Sequence, residues 1–318
     1  MTTQTVNVPS SIDATGTSDA SAALNAFISS VPDGSVIMFK AGGTYQLASG
    51  LNFANRHNLV FEGNGATLRP MGTVDVTQNS GFRLAADTDI AIRDFTIIGQ
   101  NTQPGVYNSA TNENRMGVMI YGGARVEIAN VTMLNTWSDY VEISSTPSPT
   151  VMADNIWVHD STGTGGGRHG VAVIAGTHVL IERNTFDVTA WVDLNIEPNT
   201  ADQEAGWITF RNNTVLRDGA VVPVGPIFVE ANGGTSTTNV HDITITGNRV
   251  NGTILTIITN VARRRNVVFT NNTGLTATRG PVLEFAHIDG LTVSGNVQPL
   301  TSGAIASITD CTGVVVSP

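Results

Sequence analysis

Three short stretches concentrate the side chains that can do chemistry: WSDYVEIS (residues 137–144), GRHGV (167–171) and WVDLNIE (191–197). Hydrolysis of a glycosidic bond needs one carboxyl group to protonate the leaving oxygen and a second to activate water. Glu142 and Asp193 are the expected pair. Aligning the inward residues of their strands places both in one column with Ala172 between them, about 9.6 Å apart at ~4.8 Å per rung. That is near the upper end of the range of about 6.5–9.5 Å for inverting glycosidases.

The same alignment sets Asp139 beside His169, which could relay a proton, and puts Glu230 diagonal to Asp193 as a substitute partner. Arg168 could bind an acidic sugar, and Trp137, Tyr140 and Trp191 offer faces on which pyranose rings pack. Tyr121, Asn195 and Glu197 share the outward face with Glu142. No cofactor is required by this set. A calcium ion held by Asp193, Glu197 and Glu230 is an alternative use of the same oxygens, and solvated carboxylates on an outer face are the plain structural reading.

A recurring unit must position these residues. Two alternating apolar residues, two spacer positions often containing Asn and a second apolar segment recur in VEIANVTM (126–133), VLIERNTF (179–186), ITFRNNTV (208–215), ITITGNRV (243–250) and VVFTNNTG (267–274). Weaker copies surround Phe61, Ile92, Ala153, Val293 and Val315. The spacing has a floor of 22 residues and a variable excess. This predicts a rung of three short strands with insertions in particular turns, stacked into a solenoid. Asn64, Asn130, Asn155, Asn184, Asn213, Asn248, Asn272 and Asn296 fall at or beside one bend and predict an asparagine ladder.

The long turns Gly99–Asn114, Asp160–Gly167, Glu197–Gly206 and Ala231–Asn239 flank one face and suggest a groove for an extended ligand. At the other extreme of the chain, Ser18 and Asp19 can cap a short helix whose Ala20, Ala23, Leu24, Phe27 and Ile28 share a side, ending at Pro32-Asp33-Gly34. The predicted architecture is all-β: a right-handed parallel β-helix of about ten rungs over residues 51–318, preceded by an N-terminal cap over 1–50 with its capping α-helix and first strands.

The segment NVPSSIDATGTSDASAALNAFI (7–28), followed by Val36–Leu47 and the Asn-containing rungs, resembles the pectate-lyase-like right-handed parallel β-helix superfamily over nearly the whole chain. The wording is also similar to that of minor tail proteins of actinobacterial phages. The resemblance implies a virion tail component that binds, and as a glycoside hydrolase or polysaccharide lyase cleaves, a bacterial cell-envelope polysaccharide. Other tail proteins and a homotrimer are the implied partners. A non-catalytic structural or receptor-binding solenoid and a bacterial hydrolase or lyase are the alternatives. The superfamily's polygalacturonases carry paired aspartates and Gly-His-Gly, whereas here only His169-Gly170 is present; Arg168 is a loose analogue of the lyases' catalytic arginine.

Composition narrows the field. A formal charge of −10 repels a phosphate backbone, which argues against nucleic acid. The single cysteine, Cys311, excludes an intrachain disulfide and a cysteine-based zinc site. No run of about eighteen apolar residues predicts membrane insertion, and residues 1–4 do not open a signal peptide, so a soluble chain is expected. Lys40 is the only lysine, consistent with a GC-rich coding genome.

Overall fold

The computed structural model describes residues 4–107, 111–148, 150–216, 227–229, 239–251, 255–257, 263–274, 283–297 and 306–317. Strict alternation of apolar side chains puts every second residue inside, and the backbone winds these short strands into a right-handed parallel β-helix. One inward column runs through Val6, Ile37, Phe61, Ile92, Ile128, Val158, Ile181, Phe210, Ile245, Phe269, Val293 and Val316, each paired in register with the next. From Ile37 to Phe269 these residues are essentially inaccessible to solvent.

The column corrects two positions. Val158, not Ala153, lies opposite Ile128, and Val316, not Val315, lies opposite Val293. The strand Ala153–His159 passes through a corner at Asn155, whose φ is 57°. That left-handed residue shifts the alternation, so Ala153 and Val158 both face the core on different sides of the bend.

Among the described residues the strands fall into three stacks. Val141–Ser144, Val171–Val173, Leu194–Ile196 and Ile227–Val229 continue the stack of residues 51–54, 82–85 and 118–121. Ala153–His159, Gly176–Glu182, Ala205–Arg211 and Val240–Thr246 form a second stack. Thr132–Leu134, Thr162–Thr164, Thr185–Asp187 and Thr214–Leu216 form the third. In the second stack the corner column Asn58, Asp89, Arg125, Asn155, His178, Trp207, Asp242 and Asn266 is left-handed throughout. Asn and Asp adopt that conformation more readily than most side chains; Trp207 and Arg125 are held there by the paired strands on either side.

The asparagine ladder occupies part of the predicted length. Asn184, Asn213, Asn248, Asn272 and Asn296 are linked so that each side-chain oxygen accepts the backbone N–H of the preceding member at 2.9–3.0 Å. Their amides donate to the carbonyls of Val158, Ile181, Phe210, Ile245 and Phe269. Ser161 takes the next place, its hydroxyl receiving the Val131 N–H at 3.0 Å. Asn64, Asn130 and Asn155 instead sit at left-handed positions outside the ladder.

The helix spans Ser21–Ser30 and buries Leu24 and Ile28, while Ala23 is exposed, contrary to expectation. Its cap comes from Asp19, one residue before the N-cap position. The Asp19 carboxylate accepts the backbone N–H groups of Ser21 and Ala48, both at 2.9 Å, tying the helix start to the first rung. Ser18 is engaged elsewhere, donating to Asp13. Among the described residues no helix is long and apolar enough to cross a membrane.

Asn213→Ala removes a buried donor and acceptor between two rungs, so it should cost about 1–3 kcal/mol in denaturant unfolding. Asn130→Gly, at a left-handed site outside the ladder, should stay within about 0.5 kcal/mol.

Candidate functional site

The site lies on the outer side of the first stack, where polar residues have no core to fill. Register fixes what meets what: Glu142 stands opposite Ala172, and Ala172 opposite Asn195. Asn195, not Asp193, therefore shares the Glu142 column, with Ala172 between them; Ala172 is buried and lines neither of the hollows on this face. Asp193 lies two residues before Asn195, just ahead of the strand and opposite Gly170, and is fully buried. It accepts a hydrogen bond from the Thr189 hydroxyl. Its predicted pairing with Glu142 across one column is not formed.

Arg168 is the centre of the cluster. Its Nη1 donates to Glu113 at 2.5 Å, and its Nε lies 3.2 Å from Asp139 Oδ1 and 3.0 Å from His169 Nδ1. The same Asp139 oxygen accepts the His169 backbone N–H at 2.9 Å, which confirms the expected juxtaposition of Asp139 and His169. Glu142 is further away, 3.9 Å from Arg168 Nη2. Asp139 is inaccessible and Arg168 only 7% exposed, so these charges interact through protein rather than water.

The two buried acids are driven apart. Burial alone would raise Asp139, but the charge of Arg168, then His169, overcomes it and holds the carboxyl below its ordinary value. Burial, then the negative charge of Asp139, pushes Glu142 from 4.5 up to about 8, with Arg168 pulling only partly back. Arg168 itself is held charged against burial by Asp139, Glu142, Glu113 and Glu197.

Two hollows meet at this cluster. One, of about 250 Å³, is lined by Tyr107, Glu113, Arg168, His169, Trp191, Asn195 and Glu197. The other, of about 290 Å³, is lined by Met119, Tyr121, Glu142, Ser144, Asn199 and Gln203 among others, and again by Glu113 and Arg168. The Glu113–Arg168 ion pair is thus the shared wall of a groove. Tyr121, Glu142, Arg168, His169, Trp191, Asn195 and Glu197 are brought together as the sequence predicts.

Other expected residues are elsewhere. Tyr140 is fully buried, its hydroxyl accepting the Gly166 N–H at 2.9 Å and lying 3.2 Å from the Asp187 carbonyl. It is a core residue of the turn, because Gly163 and Gly166 leave room for its ring. Trp137 lines a separate small depression under the Arg115 guanidinium, 5.3 Å from its ring centre. Glu230, and the turn residues 231–238, lie outside the described residues. Among the described residues no group of three or more His, Cys, Asp or Glu is placed to hold a metal ion.

Glu113 and Tyr107 are the site residues that the motifs missed. Both come from the long turn 99–114, whose length was the signal. Tyr107 packs edge-on against Trp191 with ring centres 4.9 Å apart, fastening the turn over the groove.

In sequence the chain matches no family model and no curated protein. Its backbone is similar to an exopolygalacturonase of Thermotoga maritima at a TM-score of 0.61 and 12% identity, covering 98% of this chain and 91% of that one. The fold is that of the pectate-lyase-like β-helices. The backbone is also similar to an endo-xylogalacturonan hydrolase of Aspergillus tubingensis (TM-score 0.59, 14% identity, covering 98% and 93%) and to the surface protein and adhesin PfbA of Streptococcus pneumoniae (0.58, 12%, 98% and 99%). These neighbours include both hydrolases and an adhesin, so the β-helix scaffold leaves activity to be argued from the groove.

The raised Glu142 makes stability depend on pH. The folded protein keeps this proton up to about pH 8, whereas the unfolded chain releases it near 4.5. The folded state thus binds more protons in that window, and stability falls as pH rises through it. Glu142→Gln removes the effect, so its stability relative to the parent should rise from pH 5 to pH 9 by at least ~1 kcal/mol. A flat difference in paired urea titrations would overturn the assignment.

Proposed function

We propose that the groove binds a polysaccharide and hydrolyses a glycosidic bond, with Glu142 as the proton donor. The observation that carries this reading is a carboxyl group held protonated to about 8 at the wall of a hollow that a second carboxylate, Glu113, also lines. A general acid must still hold its proton at working pH, and the partner must not. Glu113, ion-paired with Arg168 at 2.5 Å, is the second carboxylate at this wall and takes the role of activating water. Asp139 and His169 hold Arg168 from beneath and act as positioning residues. Trp191 and Tyr121 offer ring faces for sugars on either side of the Glu113–Arg168 wall.

A cell-envelope glycan is the substrate class that fits a groove open along the stack. The assignment to a phage tail, with tail partners or a trimer, rests on the overall likeness of the sequence to minor tail proteins and on its lysine-poor composition.

Incubation with envelope polysaccharides should release new reducing ends without absorbance from unsaturated uronates. Glu142→Gln should lower that rate about a hundred- to ten-thousand-fold, and the parent's rate should fall above about pH 8 as Glu142 loses its proton. Turnover unchanged in Glu142→Gln sinks the role of this residue. Unsaturated products would mean elimination, and binding without turnover would mean a receptor-binding solenoid.

A further inference from the structure

The hollow beside Trp191 carries more negative than positive charge. Formally, Asp139, Glu113 and Glu197 bring three negative charges against one positive on Arg168, a balance of −2 with Glu142 neutral. Two of the three guanidinium nitrogens of Arg168 are engaged, Nη1 by Glu113 at 2.5 Å and Nε by Asp139 and His169, while Nη2 lies towards Glu142 at 3.9 Å. A carboxylate entering this hollow would lie beside Glu113 and Glu197.

A second observation points the same way. Asn195 lines this hollow, is 2% exposed, and its side-chain oxygen is buried without a hydrogen-bond partner. The orientation of the amide is fixed, since its nitrogen donates to Glu197 Oε2 at 2.8 Å and a flipped amide would set oxygen against carboxylate. A buried acceptor left open is costly unless a ligand brings a donor. Trp191 and Tyr107 complete the walls with ring faces and edges, surfaces that attract a cation when it lies over the face.

Resting on the reading of the groove as a glycan site, we propose that this hollow takes a sugar bearing a free amine, a de-N-acetylated hexosamine in its ammonium form. The ammonium has three donors and no acceptor, matching the open oxygen of Asn195 and the carboxylate of Glu197. This reverses the expectation that Arg168 selects an acidic sugar: Arg168 is spent on holding the acids in place.

The test is calorimetric titration of the full chain with short oligomers of glucosamine and of galactosamine, their N-acetylated counterparts and oligogalacturonate, near physiological salt. The amino oligomers should bind roughly tenfold tighter than the N-acetylated ones, with oligogalacturonate weakest. Glu197→Gln and Asn195→Leu should each erase most of that preference. Asp89→Asn, a half-buried charge on another stack paired with Arg125, should leave the preference unchanged. Equal or tighter binding of the N-acetylated or uronate oligomers overturns the proposal, as does a preference that survives in both site variants, which would be attraction to the acidic surface at large. Glu142-dependent cleavage of a glycan without amines, with no amine preference, overturns this inference and leaves the hydrolytic groove standing. No binding and no cleavage overturns both.

Discussion

Every rung of this molecule finds its hydrogen-bond partners in the rungs above and below, and that one constraint sets everything else. A parallel stack transmits register: once Val171 lies opposite Val141, the residues outside the strand are committed as well. The cost of a slip is a whole face of apolar side chains moved out of the core or out of column. The ladder from Asn184 to Asn296 reinforces the rule by tying a side chain of each rung to the backbone of its neighbours. Rigid, repetitive spacing then lets residues far apart in sequence meet on the outer face with fixed geometry.

On that face the organising element is electrostatic. A buried aspartate, Asp139, is tolerable because Arg168 and His169 surround it, and a buried arginine is tolerable because acids surround it in turn. The arrangement leaves Glu142 without a close cation of its own, which is why it is the member that keeps a proton. Chemistry at the groove thus follows from how one guanidinium is shared.

The architecture, the apolar faces and the juxtaposition of Asp139 with His169 were legible in the sequence because alternation and repeat length report them directly. The error at Asp193 has the same origin. Val192 and Leu194 are both buried apolar residues, so sliding the strand by two preserves the in-and-out pattern and only the column changes. Ala153 misled for the complementary reason: a left-handed corner at Asn155 changes the parity, which composition does not report. Tyr140 looked outward by alternation, but it precedes the strand, where the glycines of the next rung open a slot inside. Glu113 and Tyr107 were out of reach because a long turn has no period from which to place a side chain.

The direction of the hydrogen bonds has a mechanical consequence. They run from rung to rung, along the axis of the solenoid, so a pull on its two ends loads the interfaces in series and the weakest yields first. Each rupture pays out only one turn of the spiral, about 24 residues or roughly 80 Å of extended chain where Ile245 gives way to Phe269. A sideways load is shared across many rungs at once. The molecule is therefore stiff against a ligand dragged across its groove and comparatively easy to unwind from an end.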